Sequence, residues 1–308
     1  MKKDLISIFD LTASEIWGLL KTASRLKKEK KPSRPLTGKS LGLIFEKPST
    51  RTMVSFAVAM YQLGGFPLIL NPQNLQRRRG ETIKDTVRTL SRYLEAIVIR
   101  AFRHADIEEF ARWASVPVIN GLSDREHPCQ VMGDILTIME KNRIKTPKEL
   151  SKIKVVFVGD GNNMSNTWIG AAAILGFKFT LARPAGYGPD AAMLARALAI
   201  AKKTKAAIEI TEDPLEAVKN ADAIYTDVWT SMGEEAEAED RRIDFRPYQV
   251  NEALVARAKK GCAVMHCLPA IRGEEITDQV MDSPNSVIFD QAENRLHIQK
   301  AVLAHLLK

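Results

Sequence analysis

Short apolar runs alternate with stretches of helical periodicity along the whole chain. In the first half "SLGLIF", "FPLIL", "AIVIR" and "VPVING" read as strands, each followed by a segment whose apolar residues return at three- and four-residue intervals. The rhythm restarts at "KVVFVGD" and runs through "FKFTLARP", "AAIEIT", "AIYTDVW", "CAVMHCL" and "SVIFDQ". Strands apolar along their whole length and separated by helices predict parallel sheets covered on both faces. The expected class is α/β, with two domains, each a parallel sheet flanked by helices. A chain of 308 residues is too long for one small core. The polar stretch "EKNRIKTPKELSKIK" divides it, giving expected domains at 1–146 and 147–290. The closing stretch 291–308 reads as a helix that packs back across the seam onto the first domain. Leu296, Val302, Leu303 and Leu306 suit one apolar face of that helix.

Composition narrows the setting. No apolar run approaches the roughly 18 residues of a membrane span, and the N-terminus lacks a signal-peptide pattern, so no membrane partner is expected. Three cysteines, Cys129, Cys262 and Cys267, form no CxxC pair and make a poor disulfide framework, which points to a reducing cytoplasm. Charge is uneven: residues 1–150 hold 26 Lys and Arg against 16 Asp and Glu, and the rest hold 19 against 21. A basic half suits an anionic ligand or is a lysine-rich surface. Nucleic acid is not expected, since the basic residues do not interleave with aromatics and no recognition motif occurs.

Several stretches carry chemistry. In "FEKPSTRTM", Ser49 is an N-cap candidate, and Met53, Phe56, Ala57 and Met60 recur at i, i+3, i+4 and i+7. That places Ser49, Thr50, Arg51 and Thr52 on the first turn of a helix leaving a strand, where free N–H groups, the dipole and a guanidinium together suit a phosphate. An ordinary capped helix gives the same pattern. Arg100 ends "AIVIR", and ligands of open α/β sheets lie beyond the carboxyl ends of strands. His127 and Gln130 in "HPCQ" share one side of a helical turn, as ligand donors or as a cap. A zinc reading of His127 and Cys129 lacks further ligands at metal spacing. In "VGDGNNM" the third glycine of a dinucleotide fingerprint falls at Met164, so no such cofactor is expected, and Asn162 and Asn163 bind a polar group or cap the helix. Asp227 closes a strand ahead of a loop with Ser231, Met232 and Gly233, where a carboxylate can receive an ammonium. Cys267 follows His266 at another strand end, as a reactive thiol or a structural one.

Taken in order, "STRT" at 49–52, "GETIKDT" at 80–86, "HPCQ" at 127–130, "GDGNN" at 159–163, "DVWTSMG" at 227–233, "HCLP" at 266–269 and "DQAENR" at 290–295 resemble the aspartate/ornithine carbamoyltransferase family over nearly the whole chain. "SMG" and "HCLP" resemble its ornithine branch. The resemblance implies carbamoyl phosphate and L-ornithine as substrates, no cofactor, no metal and a trimer or multiple of trimers. It implies that Ser49, Thr50, Arg51 and Thr52 hold the phosphate, helped by Arg100, and that Arg295 contacts the carbamoyl phosphate side. Thr52, Arg100 and His127 would polarise the carbonyl oxygen, and Gln130 with the Leu268 backbone would hold the carbamoyl NH2. Gln76 would reach a neighbouring subunit's site. Asn163, Asp227, Ser231 and Met232 would bind the amino acid, with Cys267 beside its side-chain amine. Three positions depart from the family pattern: Met53, the run Arg77, Arg78, Arg79, and Ile271. A related transferase for putrescine or a modified ornithine is the alternative.

Overall fold

A computed structural model describes residues 3–31, 33–231, 233 and 235–307. Two compact units emerge, Met1–Leu136 with Glu293–Lys308, and Thr137–Ala292. In the first, strands β1 (Ser40–Phe45), β2 (Phe66–Leu70), β3 (Ala96–Arg100) and β4 (Val118–Leu122) form a parallel sheet in the order β2-β1-β3-β4. In the second, β5 (Lys154–Val158), β6 (Lys178–Ala182), β7 (Ile208–Thr211), β8 (Ala223–Thr226) and β9 (Ala263–His266) form a parallel sheet in the order β7-β6-β5-β8-β9. Helices flank both sheets, as the all-apolar strands require: every residue of β3, β8 and β9 is buried.

Strand order locates the chemistry. In each unit the chain winds outward from its first strand, then returns to that strand's other side. The order therefore reverses between β1 and β3 in one sheet and between β5 and β8 in the other. At such a reversal the loops leaving adjacent strands diverge and open a crevice beyond the carboxyl ends. The first reversal carries the loop into α2 (Thr50–Gln62) and Arg100; the second carries Asp160–Asn163 and Asp227.

Two expectations are corrected. "SVIFDQ" is not a strand. Ser286 makes a single parallel bridge to Val264, Val287 donates to the Val264 carbonyl at 3.0 Å, and the chain then enters the helix Ile288–Leu306. Helix-forming residues downstream capture Ile288 and Phe289, and the first helical bond already runs from Gln291 N to Val287 O at 2.8 Å. The buried stripe of α2 is also rotated from the expected one. Thr52, Phe56, Ala59 and Met60 are buried, whereas Met53 and Ala57 are half-buried. In the closing helix Ile298, Ala301, Val302 and Leu303 are fully buried, while Leu296 and Leu306 are partly exposed.

Candidate active site

In the first unit the site grows from the start of α2. Ser49 is extended (φ −161°, ψ 95°) and its hydroxyl accepts from the Thr52 amide at 3.3 Å, so the helix begins with a capped N-terminus. Thr50 is exposed, Arg51 half-buried, and Thr52 is 1% exposed. Arg295 Nη2 donates to Thr52 Oγ1 at 2.5 Å. Arg295 reaches this point because position 133 of α5 (Pro128–Lys141) is glycine: a Cβ there would lie 3.3 Å from the Arg295 amide and 3.4 Å from its Cα. Arg100 is buried at the end of β3, where a register shift between Ile99 and Arg100 takes it out of the regular ladder.

His127 lies among these cations. Burial pushes its imidazole well below the usual histidine range, and the charges of Arg295, Arg100 and Arg51 push the same way. The ring is therefore neutral at physiological pH. Its loop is pinned by Glu126, 1% exposed, whose carboxylate accepts from the Ile8 amide at 2.8 Å. One turn into α5, Gln130 donates to Asp134 Oδ1 at 2.7 Å, and both side chains are buried. Gln76 is exposed on the short 3-10 segment Gln76–Arg79 and is not brought to this cluster within the chain.

In the second unit the centre is Asp227, which follows β8. Asn162 Nδ2 donates to Asp227 Oδ2 at 3.0 Å, and the Cys267 thiol donates to Asp227 Oδ1 at 2.9 Å. Asn162 is also the N-cap of the helix Asn163–Leu175, its Oδ1 accepting from Met164 N at 2.9 Å and Ser165 N at 3.2 Å. Asn163 is the first helical residue beside it, and Ser231 is half-buried. Met232 lies outside the described residues, as do the side chains of Arg77 and Arg78. Of the remaining departures, Met53 is half-buried and Ile271 is 44% exposed.

Three supports here were not visible in the sequence. His266 Nδ1 accepts from the Leu268 amide at 2.8 Å while its Nε2 faces Glu275 Oε1 at 3.0 Å, and neither side chain has any exposure. A carboxylate only accepts, so the proton sits on Nε2 and the imidazole is a bridge between Glu275 and the Leu268 backbone. With its N–H used, Leu268 offers only its carbonyl. The third support is Arg241, 6% exposed, whose Nη1 donates to Asp160 Oδ2 and to the Trp229 carbonyl, both at 2.9 Å. It ties the "GDGNN" loop to the loop after β8. The same loop is held by a backbone crossing: a Cβ on Gly161 would lie 2.1 Å from the carbonyl carbon of Gly188, and Gly161 N donates to Tyr187 O at 3.2 Å.

Asp227, His266 and Cys267 bring one candidate metal-ligand atom each within 4.8 Å of one another. The His266 lone pair is already given to the Leu268 amide, so that trio lacks its third donor. Cys129 is fully buried and its thiol is pushed up to about 12 by burial, which makes it a packing residue. Two surface cavities, of about 530 Å³ beside Arg88 and Trp113 and about 720 Å³ beside Val255 and Lys259, include none of the residues above.

Residues 3–140 match the carbamoyl-P binding domain of aspartate/ornithine carbamoyltransferase, and residues 151–306 match its Asp/Orn binding domain. The ornithine carbamoyltransferase of Syntrophus aciditrophicus is 54% identical over the full length of both chains. The anabolic ornithine carbamoyltransferase of Pyrococcus furiosus is 55% identical over 98% of this chain and 95% of its own. A solved ornithine carbamoyltransferase from Pyrococcus furiosus superposes with a TM-score of 0.93 at 56% identity, covering 98% of this chain and 96% of that one. The anabolic enzyme from Campylobacter jejuni gives 0.93 at 40% identity, covering 98% of each chain.

Proposed function

The chain belongs to the aspartate/ornithine carbamoyltransferase family, and from that premise we propose that it transfers the carbamoyl group of carbamoyl phosphate to the side-chain amine of L-ornithine, giving L-citrulline and phosphate in arginine biosynthesis. The observation that carries this is the electrostatic setting of His127: a buried, neutral imidazole faced by Arg51, Arg100 and Arg295, with Arg295 fixed on Thr52.

Each role follows from chemistry. Ser49, Thr50, Arg51 and Thr52 at the capped start of α2 take the phosphate, with Arg100 and Arg295 balancing its charge. The neutral δ-amine attacks the carbonyl carbon and negative charge grows on the carbonyl oxygen, where Thr52, Arg100 and the N–H of His127 stabilise it. The C–O bond to phosphate then breaks, and the proton lost by the amine ends on the departing phosphate. Gln130 and the Leu268 carbonyl accept from the carbamoyl NH2. Asn163, Asp227, Ser231 and Met232 hold the amino acid's α-carboxylate and α-amine, and Asp227 also holds the Cys267 thiol, which orients the attacking amine. The imidazole must be neutral to leave the surrounding cations free for phosphate, and burial secures that.

The active form is a trimer or a multiple of trimers. In support, the edge strand β2 and helix α2 expose Phe66 (64%), Ile69 (59%), Val54 (54%) and Tyr61 (67%), an apolar edge that soluble proteins cover. Gln76, exposed and close in sequence to β2, would then serve a neighbouring copy. No described helix is long and apolar enough to cross a membrane, and Cys129, Cys262 and Cys267 are all free thiols, which suits the cytoplasm. The test is citrulline formation from carbamoyl phosphate and ornithine, set beside carbamoylation of putrescine, lysine and aspartate. Ornithine turning over no faster than putrescine overturns the substrate assignment.

A further inference from the structure

Gln130 and Asp134 stand four residues apart on α5, so their side chains meet on one face of the helix. Gln130 is 1% exposed and Asp134 has no exposure, and the Gln130 Nε2 donates to Asp134 Oδ1 at 2.7 Å. The other end of the carboxamide, Oε1, is buried with no hydrogen-bond partner among the described residues. A buried amide oxygen left in that state is destabilising unless something donates to it.

An amide can be turned end for end with little change in shape, and only its neighbours decide which end points where. A carboxylate accepts and does not donate, so opposite Asp134 one end of Gln130 is forbidden: with Oε1 turned inward, two oxygens would face each other. Oε1 must point the other way, as a fixed acceptor.

We infer that Asp134 is a positioning residue for substrate selection: it locks the Gln130 carboxamide with its oxygen outward, so that the subsite demands a hydrogen-bond donor and favours carbamoyl phosphate over acyl phosphates whose methyl group replaces the NH2. This rests on the assignment of Gln130 to the carbamoyl NH2. Acetyl phosphate has the same phosphate and carbonyl and nearly the same shape, and lacks only the donor. It isolates the contact, because an analogue that leaves a buried acceptor unpaired is rejected more strongly than one that merely fits less well.

Three variants test the lock, read as the ratio of the acetyl phosphate inhibition constant to the carbamoyl phosphate dissociation constant, with melting temperature recorded for each. Gln130→Met removes the acceptor and is expected to lower the ratio about tenfold, the usual effect of one neutral hydrogen bond. Gln130→Glu sets two buried carboxylates against each other, so one must hold a proton and the outward oxygen is no longer fixed; the ratio again falls about tenfold or more. Gln130→Glu with Asp134→Asn swaps the pair: the new carboxamide donates to the new carboxylate, whose second oxygen again points outward, and the ratio returns to within about threefold of the original. A swapped pair no better than Gln130→Glu alone overturns the positioning role while leaving the Gln130 subsite in place. A Gln130→Met ratio equal to that of the unaltered protein overturns the subsite and the inference with it. Loss of carbamoyl and acetyl phosphate binding in equal proportion across all three variants marks Asp134 as structural only, and also overturns the inference.

Discussion

Replacing Arg241 with methionine removes a guanidinium that holds two loops of the second unit together. The side chain of Arg241 is 8% exposed and that of Asp160 10%, so Arg241→Met leaves a carboxylate buried opposite a thioether. It also strips the Trp229 carbonyl of its donor. The contact to Glu237, whose side chain is 63% exposed, adds little, because water replaces it. Taking one partner from a buried pair costs about 3–5 kcal/mol. In a domain of this size each kcal/mol moves the melting temperature about 2–4 °C, so the transition is expected to fall by roughly 6–20 °C. Because the loops tied together carry Asn162, Asn163 and Ser231, the KM for ornithine is expected to rise while that for carbamoyl phosphate stays near its original value. Thermal denaturation followed by circular dichroism and steady-state kinetics with each substrate varied read the two effects. Adding Asp160→Asn should recover part of the melting loss by removing the stranded charge. A variant that melts within about 2 °C of the parent, with an unchanged ornithine KM, refutes the reasoning.

Three further predictions are more compact. Arg51→Ala should abolish most turnover while leaving the melting temperature within about 2 °C, since a half-buried residue on the first helical turn contributes little core energy; near-normal turnover refutes the phosphate role. His127 has its pKa lowered by folding, so the unfolded chain binds the proton more readily; the stability is fully present above the unfolded value of about 6.5 and is lost progressively as pH falls below it. His104 and His297 are shifted the same way, so His127→Gln should flatten the acid limb of denaturant-measured stability only in part, and an unchanged slope between pH 5 and 6.5 would sink the assignment. Gly133→Ala should weaken carbamoyl phosphate binding several-fold, because a Cβ at 3.3 Å from the Arg295 backbone displaces that residue from Thr52; unchanged affinity by calorimetry counts against this placement of Arg295.

Much of the architecture is legible because buried parallel strands have few disguises. "SLGLIF", "FPLIL" and "AIVIR" coincide with β1, β2 and β3 end to end. "SVIFDQ" misleads for the same reason: three of its six residues, Val287, Ile288 and Phe289, suit a strand, and nothing in that window reveals that the helix after it starts at Ile288. The first turn of α2 is also legible, but its rotation is not. Thr52 is buried because Arg295, 243 positions away in the chain, comes down on its hydroxyl, and no local periodicity records such a contact. Polar residues that support the site are hidden more thoroughly. Glu126, Glu275 and Arg241 look like surface charges in the sequence, and only the fold shows each enclosed with its partners. Asn162 and Asn163 are distinguishable only by helix geometry, which makes Asn162 the N-cap and brings its carboxamide onto Asp227.

The crossing of Gly161 over Gly188 changes how the "GDGNN" motif should be valued. A motif invites the assumption that every letter is there to do chemistry, yet this glycine is there so that two stretches of main chain can occupy nearly the same place. Its mutational tolerance is set by geometry, so even alanine, the most conservative substitution, is excluded whatever ligand the site serves. A library that varied this loop to redesign substrate choice would meet a chemical constraint at Asn162, which caps the helix and faces Asp227, and a purely steric one at position 161. Fold and function therefore write different letters of one short word, and an engineer must know which author wrote each before editing it.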